Sequence, residues 1–262
     1  MRLVEARWAQ EDSRAIEGAA ETVYLVGGPL ECAQWMGAFD RREGALVNGR
    51  HSYARRGDSP LMLWYDGSDS WRLGADEIEL GTTEGCCKCT DQAKLPEDVT
   101  GLWLRFERTR WNAMRHMRCL YGDEGKLALD DLLPRLARAL EPAACRIYLV
   151  GLASHVSSFI CGRSKRLRSS CMRGEYELRQ EVGLVNGRHA YVKRDSAKLM
   201  LWFSINGSWF IGEREDLGKG VGAFRCQDQA LMPEKVTAAW KQAIGKGKGW
   251  AVAEQLRCLA GE

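Results

Sequence analysis

The sequence is poor in proline and histidine, and it contains no long apolar run. Of its 262 residues, only 6 are proline and 4 are histidine. The most apolar segment, IYLVGLASHVSSFIC at 147–161, is broken by serine and histidine and is too short to span a bilayer. We therefore predict a chain without a transmembrane segment.

An excess of charge of one sign is also missing. The chain has 38 Lys and Arg against 35 Asp and Glu, so its net charge of +3 creates no global attraction to nucleic acid or to an anionic membrane. Its 45% hydrophobic and 28% charged residues are typical of a globular protein with room for about two domains. No specific nucleic-acid partner is predicted.

The first residues lack the apolar core of a secretory signal, and they are too acidic for a usual transit peptide. The acidic residues of the predicted N-terminal extension 1–21 are Glu5, Glu11, Asp12, Glu17 and Glu21. We therefore expect a soluble intracellular protein, either cytoplasmic or organellar. Its 10 cysteines are then expected to be reduced thiols, with disulfides in an oxidising compartment as the alternative.

Familiar catalytic motifs are absent from the sequence as well. It has no nucleophile elbow, no HExxH zinc motif, no kinase motif set and no dinucleotide fingerprint. The basic turn GKGKG at 245–249 lacks the GxxxxGK[ST] spacing of a phosphate-binding loop. The sequence therefore predicts neither a cofactor nor a particular reaction.

What the chain does contain is an internal duplication. The segment LVNGRHSYARRGDSPLMLWY at 46–65 matches LVNGRHAYVKRDSAKLMLWF at 184–203 without a gap. Further matches join VYLVGG with IYLVGL, DQAKLPEDVT with DQALMPEKVT, and WNAMRHMRCL with WAVAEQLRCL. We predict a first β repeat at 22–121, a helical linker at 122–145 and a second β repeat at 146–262.

Each repeat carries the sequence signals of a small antiparallel sheet. An Asn-Gly pair between apolar residues is typical of a type I′ hairpin turn, which requires positive φ at both central positions. Structural turn residues are thus predicted at Asn48, Gly49, Arg50, Asn186, Gly187 and Arg188. The runs LMLWY and LMLWF are apolar on both faces, as in a central strand. The predicted fold is mainly β: two homologous antiparallel β-meanders in tandem, each of about six strands, with a linker helix.

The linker helix is predicted from leucines at near-helical spacing between an Asp-rich first turn and Pro142. These leucines are Leu127, Leu129, Leu132, Leu133, Leu136 and Leu140. Because Pro134 lies inside this run, a kink or two shorter helices are alternatives to one continuous helix. We expect the helix to pack between the two repeats.

These shared motifs resemble a small β-domain that recurs in many uncharacterised algal (protist) proteins. The pattern is VNGRxxY, then LxW with Tyr or Phe, then WxxG, then Pro-Glu-x-Val-Thr, and it covers both repeats. This chain departs from it at His51 and His189, where the family commonly has proline, and before Trp111, where Thr109 and Arg110 replace a Gly-containing pair. The resemblance implies a β module that occurs singly or in tandem, and it implies no reaction.

The repeated tryptophans are the first candidate binding residues. Trp64 and Trp71 match Trp202 and Trp209, and an indole offers a large flat contact to a glycan or peptide. The favoured interpretation is that these indoles fill the thin core of each sheet. The ligand-binding interpretation requires that they be exposed.

Cysteine and histidine give weaker candidates. Cys86, Cys87 and Cys89 have a spacing compatible with zinc, but the second repeat keeps only Cys226, so no metal site is predicted. A cysteine–histidine enzyme would need Cys89 or Cys226 within hydrogen-bond reach of His51 or His189. Cys32 with Cys119, and Cys171 with Cys258, are expected to be neighbours in the core, or bridges if oxidised.

The main difference between the repeats is a basic insertion in the second one. It contains Arg163, Lys165, Arg166 and Arg168, which could contact phosphates or an acidic partner, or form an ordinary solvated loop. Insertions on a repeated scaffold are places where function diverges.

Together these features predict a non-catalytic interaction or structural protein with a protein partner. It would be an accessory or scaffold subunit of a larger assembly, such as an organellar complex. The alternatives are a module that presents Trp to a glycan or peptide, and a cysteine–histidine enzyme.

Overall fold

The computed structural model describes most of the chain in nine segments, and the statements below concern these residues. They are 16–44, 46–57, 61–75, 77–107, 110–151, 158–160, 166–168, 172–244 and 249–261. By its internal contacts the chain divides into two compact units. Unit 1 contains Met1–Pro29 and Trp35–Arg135, and unit 2 contains Leu30–Gln34 and Leu136–Glu262.

Unit 1 is built on one antiparallel sheet of nine strands. In chain order they are β1 Thr22–Val26, β2 Gly37–Arg41, β3 Tyr53–Arg55, β4 Met62–Tyr65, β5 Ser70–Gly74, β6 Cys87–Thr90, β7 Trp103–Glu107, β8 Arg110–Ala113 and β9 Arg118–Tyr121. Strands β1 to β8 follow one another as a meander, and β9 returns to pair with β1 on its free side.

Unit 2 repeats this sheet strand for strand. Its nine strands are β10 Arg146–Val150, β13 Gly174–Leu178, β16 Tyr191–Lys193, β17 Ser196–Ser204, β18 Ser208–Glu213, β19 Phe224–Cys226, β20 Lys241–Ala243, β21 Trp250–Val252 and β22 Arg257–Ala260. Strand β22 pairs with β10 as β9 pairs with β1. The predicted fold class, mainly β with two homologous antiparallel sheets and a helix, is confirmed, but each sheet has nine strands rather than about six.

Each sheet must curl, because its two edge strands are consecutive in the chain. Strands β8 and β9 lie at opposite ends of the strand order. A flat sheet of this width would hold its edges roughly 38 Å apart at about 4.8 Å per strand. The short connection from β8 to β9 reaches roughly 17 Å at most. The sheet therefore bends into a half-barrel, and β21 and β22 impose the same curvature on unit 2.

The curl produces two apolar clusters in unit 2, one on each face of the central strands. The larger one contains Phe203, Trp209 and Trp240, and the smaller one contains Met200, Trp202 and Phe210. The smaller cluster also includes Val185. Residues on β17 therefore alternate between the two clusters, which is why the LMLWF run is apolar throughout.

Close packing across neighbouring strands explains a glycine that both repeats share. Gly212 on β18 pairs with Met200 on β17, beside Trp202. A methyl group on Gly212 would lie 2.8 Å from the Trp202 ring, and one on Gly74 would lie 2.5 Å from the Trp64 ring. Both positions therefore need glycine so that the indole can lie flat against the neighbouring strand.

The predicted linker forms one continuous helix, α1, at Gly122–Leu140, and Pro134 lies inside it. Its buried leucines are Leu132, Leu136 and Leu140, whereas Leu127 and Leu133 are exposed. Near its start, Gly125 lies against the Tyr24 ring. Among the described helices, none is both long enough and apolar enough to cross a membrane.

Two further strand pairs complete the fold. Part of the basic insertion forms a hairpin of β11 Ser158–Ile160 with β12 Arg166–Arg168. In the connection before β16, β14 Leu184–Val185 pairs with β15 Arg188–His189. The insertion is thus a short hairpin in part, and not wholly a loop.

Candidate functional site

The Asn-Gly turns have the predicted type I′ geometry in both units. The φ angles are 50° at Asn48 and 76° at Gly49, and they are 50° at Asn186 and 72° at Gly187. In unit 1 the turn is closed by a bridge between Val47 and Arg50. Positive φ at both central positions explains why Asn-Gly occurs here twice.

The asparagine of each turn fastens it to two neighbouring loops. The Asn48 Nδ2 donates to the carbonyl oxygens of Tyr65, at 2.9 Å, and Gly81, at 2.8 Å. The Asn186 Nδ2 donates to the carbonyls of Phe203 and Gly218, both at 2.9 Å. Each amide thus hydrogen-bonds two backbone carbonyls that lie outside its own turn.

The arginine of each turn binds the loop DQA that both repeats share. Arg50 donates to the carbonyls of Gln92 and Ala93, and Arg188 donates to those of Gln229 and Ala230. Burial lowers the pKa of Arg188 to about 10, an effect partly offset by Cys32 and Glu31, so the guanidinium remains charged at neutral pH.

A carboxylate holds that loop in shape. Asp228 accepts hydrogen bonds from the backbone N–H groups of Ala230, Thr237 and Ala238. Burial alone would raise its pKa, but these hydrogen bonds outweigh burial and keep the pKa below its ordinary value. Asp91 makes the equivalent bonds in unit 1.

The two turns differ in what covers them. In unit 2 the turn is covered by Leu30–Gln34, which belongs to this compact unit although the sequence pattern places it in the first repeat. Arg188 Nη2 donates to the Glu31 carbonyl at 3.0 Å, and the Gln34 Nε2 donates to Gln229 Oε1 at 3.3 Å. A methyl group built on Gly187 would lie 3.0 Å from the Ala33 Cβ.

The same turn of unit 1 is covered less completely, although Arg50 is buried there as Arg188 is in unit 2. Asn48, Gly49 and Gln92 are exposed, whereas Asn186 is buried and Gly187 and Gln229 are partly covered. A methyl group built on Gly49 would have no atom of the described residues within 4 Å.

The four predicted tryptophans do not form a binding surface. Trp64, Trp71, Trp202 and Trp209 are each 0% exposed. Their indole N–H groups donate to backbone carbonyls, for example from Trp71 to Ala93 and from Trp209 to Ala230. A ligand cannot reach the faces of these rings, so the prediction that they could hold a glycan or peptide is corrected to a role in the core.

The basic insertion lies largely beyond what the structure describes. Arg163 and Lys165 fall outside the described residues, and Arg166 and Arg168 occupy the two ends of β12. The strand β12 pairs with β11 from Ser158↔Arg168 to Ile160↔Arg166. The prediction of a partner-binding role for these four residues stays a prediction.

The cysteines and histidines of the enzyme alternative are not brought together within either unit. Among the described residues, no hydrogen bond joins Cys89 to His51 or Cys226 to His189, and the Cys226 thiol instead lies 3.2 Å from the Ala238 carbonyl. Burial, reinforced by Asp91 or Asp228, raises the pKa of both thiols to about 12. Burial also lowers the pKa of His51 and His189.

Of the cysteines predicted to be neighbours in the core, Cys119 and Cys258 take equivalent places in the two sheets. Cys119 and Cys258 lie where the late strand pairs with the early one, opposite Leu25 and Leu149. No disulfide joins any two of the eight described cysteines, and Cys171 lies outside the described residues. Within the described part of the chain, no group of three or more His, Cys, Asp or Glu side chains could hold a metal ion.

Sequence reasoning missed a polar cavity of about 740 Å³ in unit 1. It is lined by Glu17, Glu21, Thr22, Asp40, Arg41, Arg42, Glu43, Gly44, His51 and Arg56. Several of its charges pair with one another or with the scaffold: Arg56 binds both oxygens of Asp40 at 2.7 Å, and Arg41 donates to the Ala19 carbonyl. These contacts join residues that line the cavity to one another and to the backbone of unit 1.

A partly exposed aromatic pair was also missed. Phe106 is 49% exposed, and its ring centroid lies 5.3 Å from that of Trp111. The Lys88 Nζ lies 4.8 Å from the Trp111 ring centroid. In unit 2, Trp250 packs instead against Phe210, with Arg225 over its ring. The different partners of the two tryptophans could not be read from the matched sequence.

Comparison of the chain with protein-family models, with curated proteins and with solved structures finds no match.

Proposed function

We propose that the chain is a non-catalytic interaction protein that serves as an accessory or scaffold subunit of a larger assembly. The observation that carries this proposal is the contrast between the two turns. In unit 2 the turn binds Leu30–Gln34 through backbone and side-chain hydrogen bonds. In unit 1 the asparagine and the glycine of the matching turn are exposed, whereas its arginine is buried as in unit 2.

The use of the duplicated polar residues supports the same conclusion. Asn48, Arg50 and Asp91, like their counterparts in unit 2, form hydrogen bonds to backbone groups of their own unit. Because these residues hold the fold together in both copies, we expect recognition to involve the surfaces that differ between the copies. As part of this proposal, we assign both repeats to the algal β-domain that they resemble and place the assembly in an organelle.

The state of the protein in its source cell tests this function. We expect the native chain in a gentle extract to sediment at a mass well above that of a single chain, and to form reproducible crosslinks to defined partner proteins, identified by mass spectrometry. Denatured and re-diluted extract serves as the control for non-specific association. Sedimentation as a lone chain at cellular concentration would overturn the proposal.

A second candidate function is ligand binding on the Phe106–Trp111 pair. It is favoured by the exposure of Phe106 and by the cation over the Trp111 ring, a combination that suits an amphipathic ligand. Titration with a glycan array would reveal it as binding by the wild type that Phe106→Ala abolishes. The control variant Leu102→Ala, which changes another exposed apolar residue of unit 1, should keep that binding. Absence of binding by the wild type across the array would remove this candidate for glycans.

A further inference from the structure

Two residues of the shared motifs place a polar atom in the core of each unit. They are the tyrosine of VNGRxxY and the glutamate of Pro-Glu-x-Val-Thr, which are Tyr53 and Glu97 in unit 1 and Tyr191 and Glu234 in unit 2. Among the described residues, no hydrogen bond reaches the buried Oη of either tyrosine or the buried Oε2 of either glutamate. Buried polar atoms in proteins have partners, so these four atoms need an explanation.

In unit 1 the tyrosine and the glutamate lie in one cluster with the cysteine of the last strand. Strand β9, which carries Cys119, lies against the 3-10 turn Pro96–Asp98, which carries Glu97. Burial raises the pKa of both Tyr53 and Cys119, and the Glu97 carboxylate raises both further. Because the interaction between charges weakens with distance, the carboxylate must lie near both the phenol and the thiol.

Unit 2 repeats this cluster. Strand β22, which carries Cys258, lies against the 3-10 turn Pro233–Lys235, which carries Glu234. Burial raises the pKa of Tyr191, and Glu234 adds to this rise. For Cys258 burial is again the main cause, followed by Cys226 and Glu234. The same three side-chain types therefore lie together in both units, although they come from three distant parts of the chain.

We propose that each cluster binds one ordered water molecule between the tyrosine hydroxyl and the glutamate carboxylate. The phenol donates to the water, and the water donates to Oε2, so that both buried atoms gain a partner. The cysteine thiol is the third polar group of the cluster. Buried waters make about three hydrogen bonds, to groups that would otherwise lack partners, and this cluster supplies such groups.

The chemistry of the cluster favours water over a metal ion. Burial keeps the Cys119 and Cys258 thiols protonated, and each cluster holds only one carboxylate. A protonated thiol and a single carboxylate are a poor ligand set for a metal ion. A water molecule, in contrast, both accepts from the phenol and donates to the carboxylate.

The water fastens the Pro-Glu turn to the sheet. Tyr53 lies on β3, whereas Glu97 lies on the connection between β6 and β7. The other carboxylate oxygen of Glu97 accepts from the Ala20 backbone N–H at 3.4 Å, so the same side chain also holds the segment that enters β1. Both motif residues recur because the tyrosine supplies the donor and the glutamate supplies the acceptor.

A crystal structure of the full-length chain that shows ordered water tests the proposal. We expect a water molecule in each unit, within hydrogen-bond distance of both the tyrosine Oη and the glutamate Oε2. The double variant Tyr53→Phe with Glu97→Leu removes both partners in unit 1, and it should lose that water. Unit 2 of the same variant should keep its water and thus serves as the internal control.

Tyr65→Phe is the matched control for the loss of a core hydroxyl. Its hydroxyl already donates to the Ser68 carbonyl at 2.9 Å, and the second repeat has Phe203 at this position. It should leave both waters in place. In solution, magnetic relaxation dispersion of water deuterons detects such long-lived buried waters. The signal should fall in the double variant and stay unchanged in Tyr65→Phe.

The possible results separate cleanly. A water bonded to both the phenol and the carboxylate in each unit, and lost from unit 1 of the double variant, supports the proposal. A direct bond between Tyr53 and Glu97, a phenol bonded to another protein group, or a dry cluster in either unit would overturn it. A unit 1 water that persists in the double variant would also overturn it. None of these results depends on whether the chain joins a larger assembly.

Discussion

The guanidinium carbon of Arg50 lies 3.2 Å from the centroid of the Tyr65 ring. In unit 2 the Arg188 guanidinium lies 4.4 Å from the Phe203 ring centroid. The swap of tyrosine for phenylalanine between the repeats is therefore tolerated, because either ring offers an aromatic face to the cation. Each arginine links the turn, a core strand and the DQA loop.

Substitution of the turn glycines should affect the units unequally. We expect Gly49→Val to destabilise unit 1 by more than about 1 kcal/mol, because a β-branched residue is strained at positive φ. Gly187→Val should cost more, since its side chain would also meet Ala33. Hydrogen exchange with mass spectrometry measures the two units separately. Gly122→Val provides the same backbone strain at a site outside the turns.

The peptides that lose protection from hydrogen exchange show which contacts each glycine variant disrupts. Gly187→Val should increase exchange in Leu30–Gln34 as well as in β14 and β15, whereas Gly49→Val should act on the hairpin of unit 1. Unchanged melting and exchange in both variants would contradict the assignment of the turns.

Buried thiols should resist alkylation. Burial raises the pKa of Cys89 and Cys226 to about 12, so almost none of either thiol is thiolate at pH 8. We expect iodoacetamide to label the exposed Cys145 first and these two only on unfolding, as read by peptide mass spectrometry. Rapid native labelling of Cys89 would contradict the structure of the core.

Because of the same thiols, we expect the stability of the protein to decrease at alkaline pH. An unfolded cysteine titrates near pH 9.0, and the folded ones titrate near 12. Between these values the unfolded state releases protons that the folded state keeps, so the free energy of unfolding should fall as pH rises above 9. Cys89→Ala should flatten this slope, as read from urea unfolding at pH 8 and pH 10.

Asp66 should make unit 1 sensitive to acid. Burial alone would raise its pKa, but hydrogen bonds from the Ser68 backbone and from Arg72 outweigh burial and lower the pKa to about 2. The folded pKa therefore lies below the unfolded one, and its contribution to stability is present above pH 4 and lost as pH falls toward 2. Urea unfolding at pH 7 and pH 3 measures the loss.

The second repeat supplies the control for this pair. Asp66 and Arg72 correspond to Ser204 and Phe210 in the matched strands β4–β5 and β17–β18. Asp66→Ser alone should cost about 3 kcal/mol, because it leaves a buried guanidinium without its carboxylate. Adding Arg72→Phe should recover most of that loss and reduce the acid sensitivity. If Arg72→Phe changes the stability equally with and without Asp66, the pair is not coupled.

The sequence predicted the features that depend on residues close together in the chain, and it missed those that depend on distant contacts. The Asn-Gly turns, the apolar central strands and the duplication were predicted because each follows from neighbouring residues. Strands such as β8 Arg110–Ala113 and β21 Trp250–Val252 were missed because they are short and show no clear alternation. The segment Leu30–Gln34 was assigned to the first repeat by pattern alone, whereas its contacts place it in unit 2.

Local dihedral preferences and apolar spacing are enough to predict two similar sheets and a type I′ turn in each. The tertiary contacts enclose the four matched tryptophans, and they bury Asn186 while Asn48 and Gly49 stay exposed. Burial of the indoles depends on the curl that brings the ends of each sheet together, and coverage of the turn depends on residues far away in the chain. Neither is encoded in the turn itself, since Asn48-Gly49-Arg50 and Asn186-Gly187-Arg188 are identical in sequence.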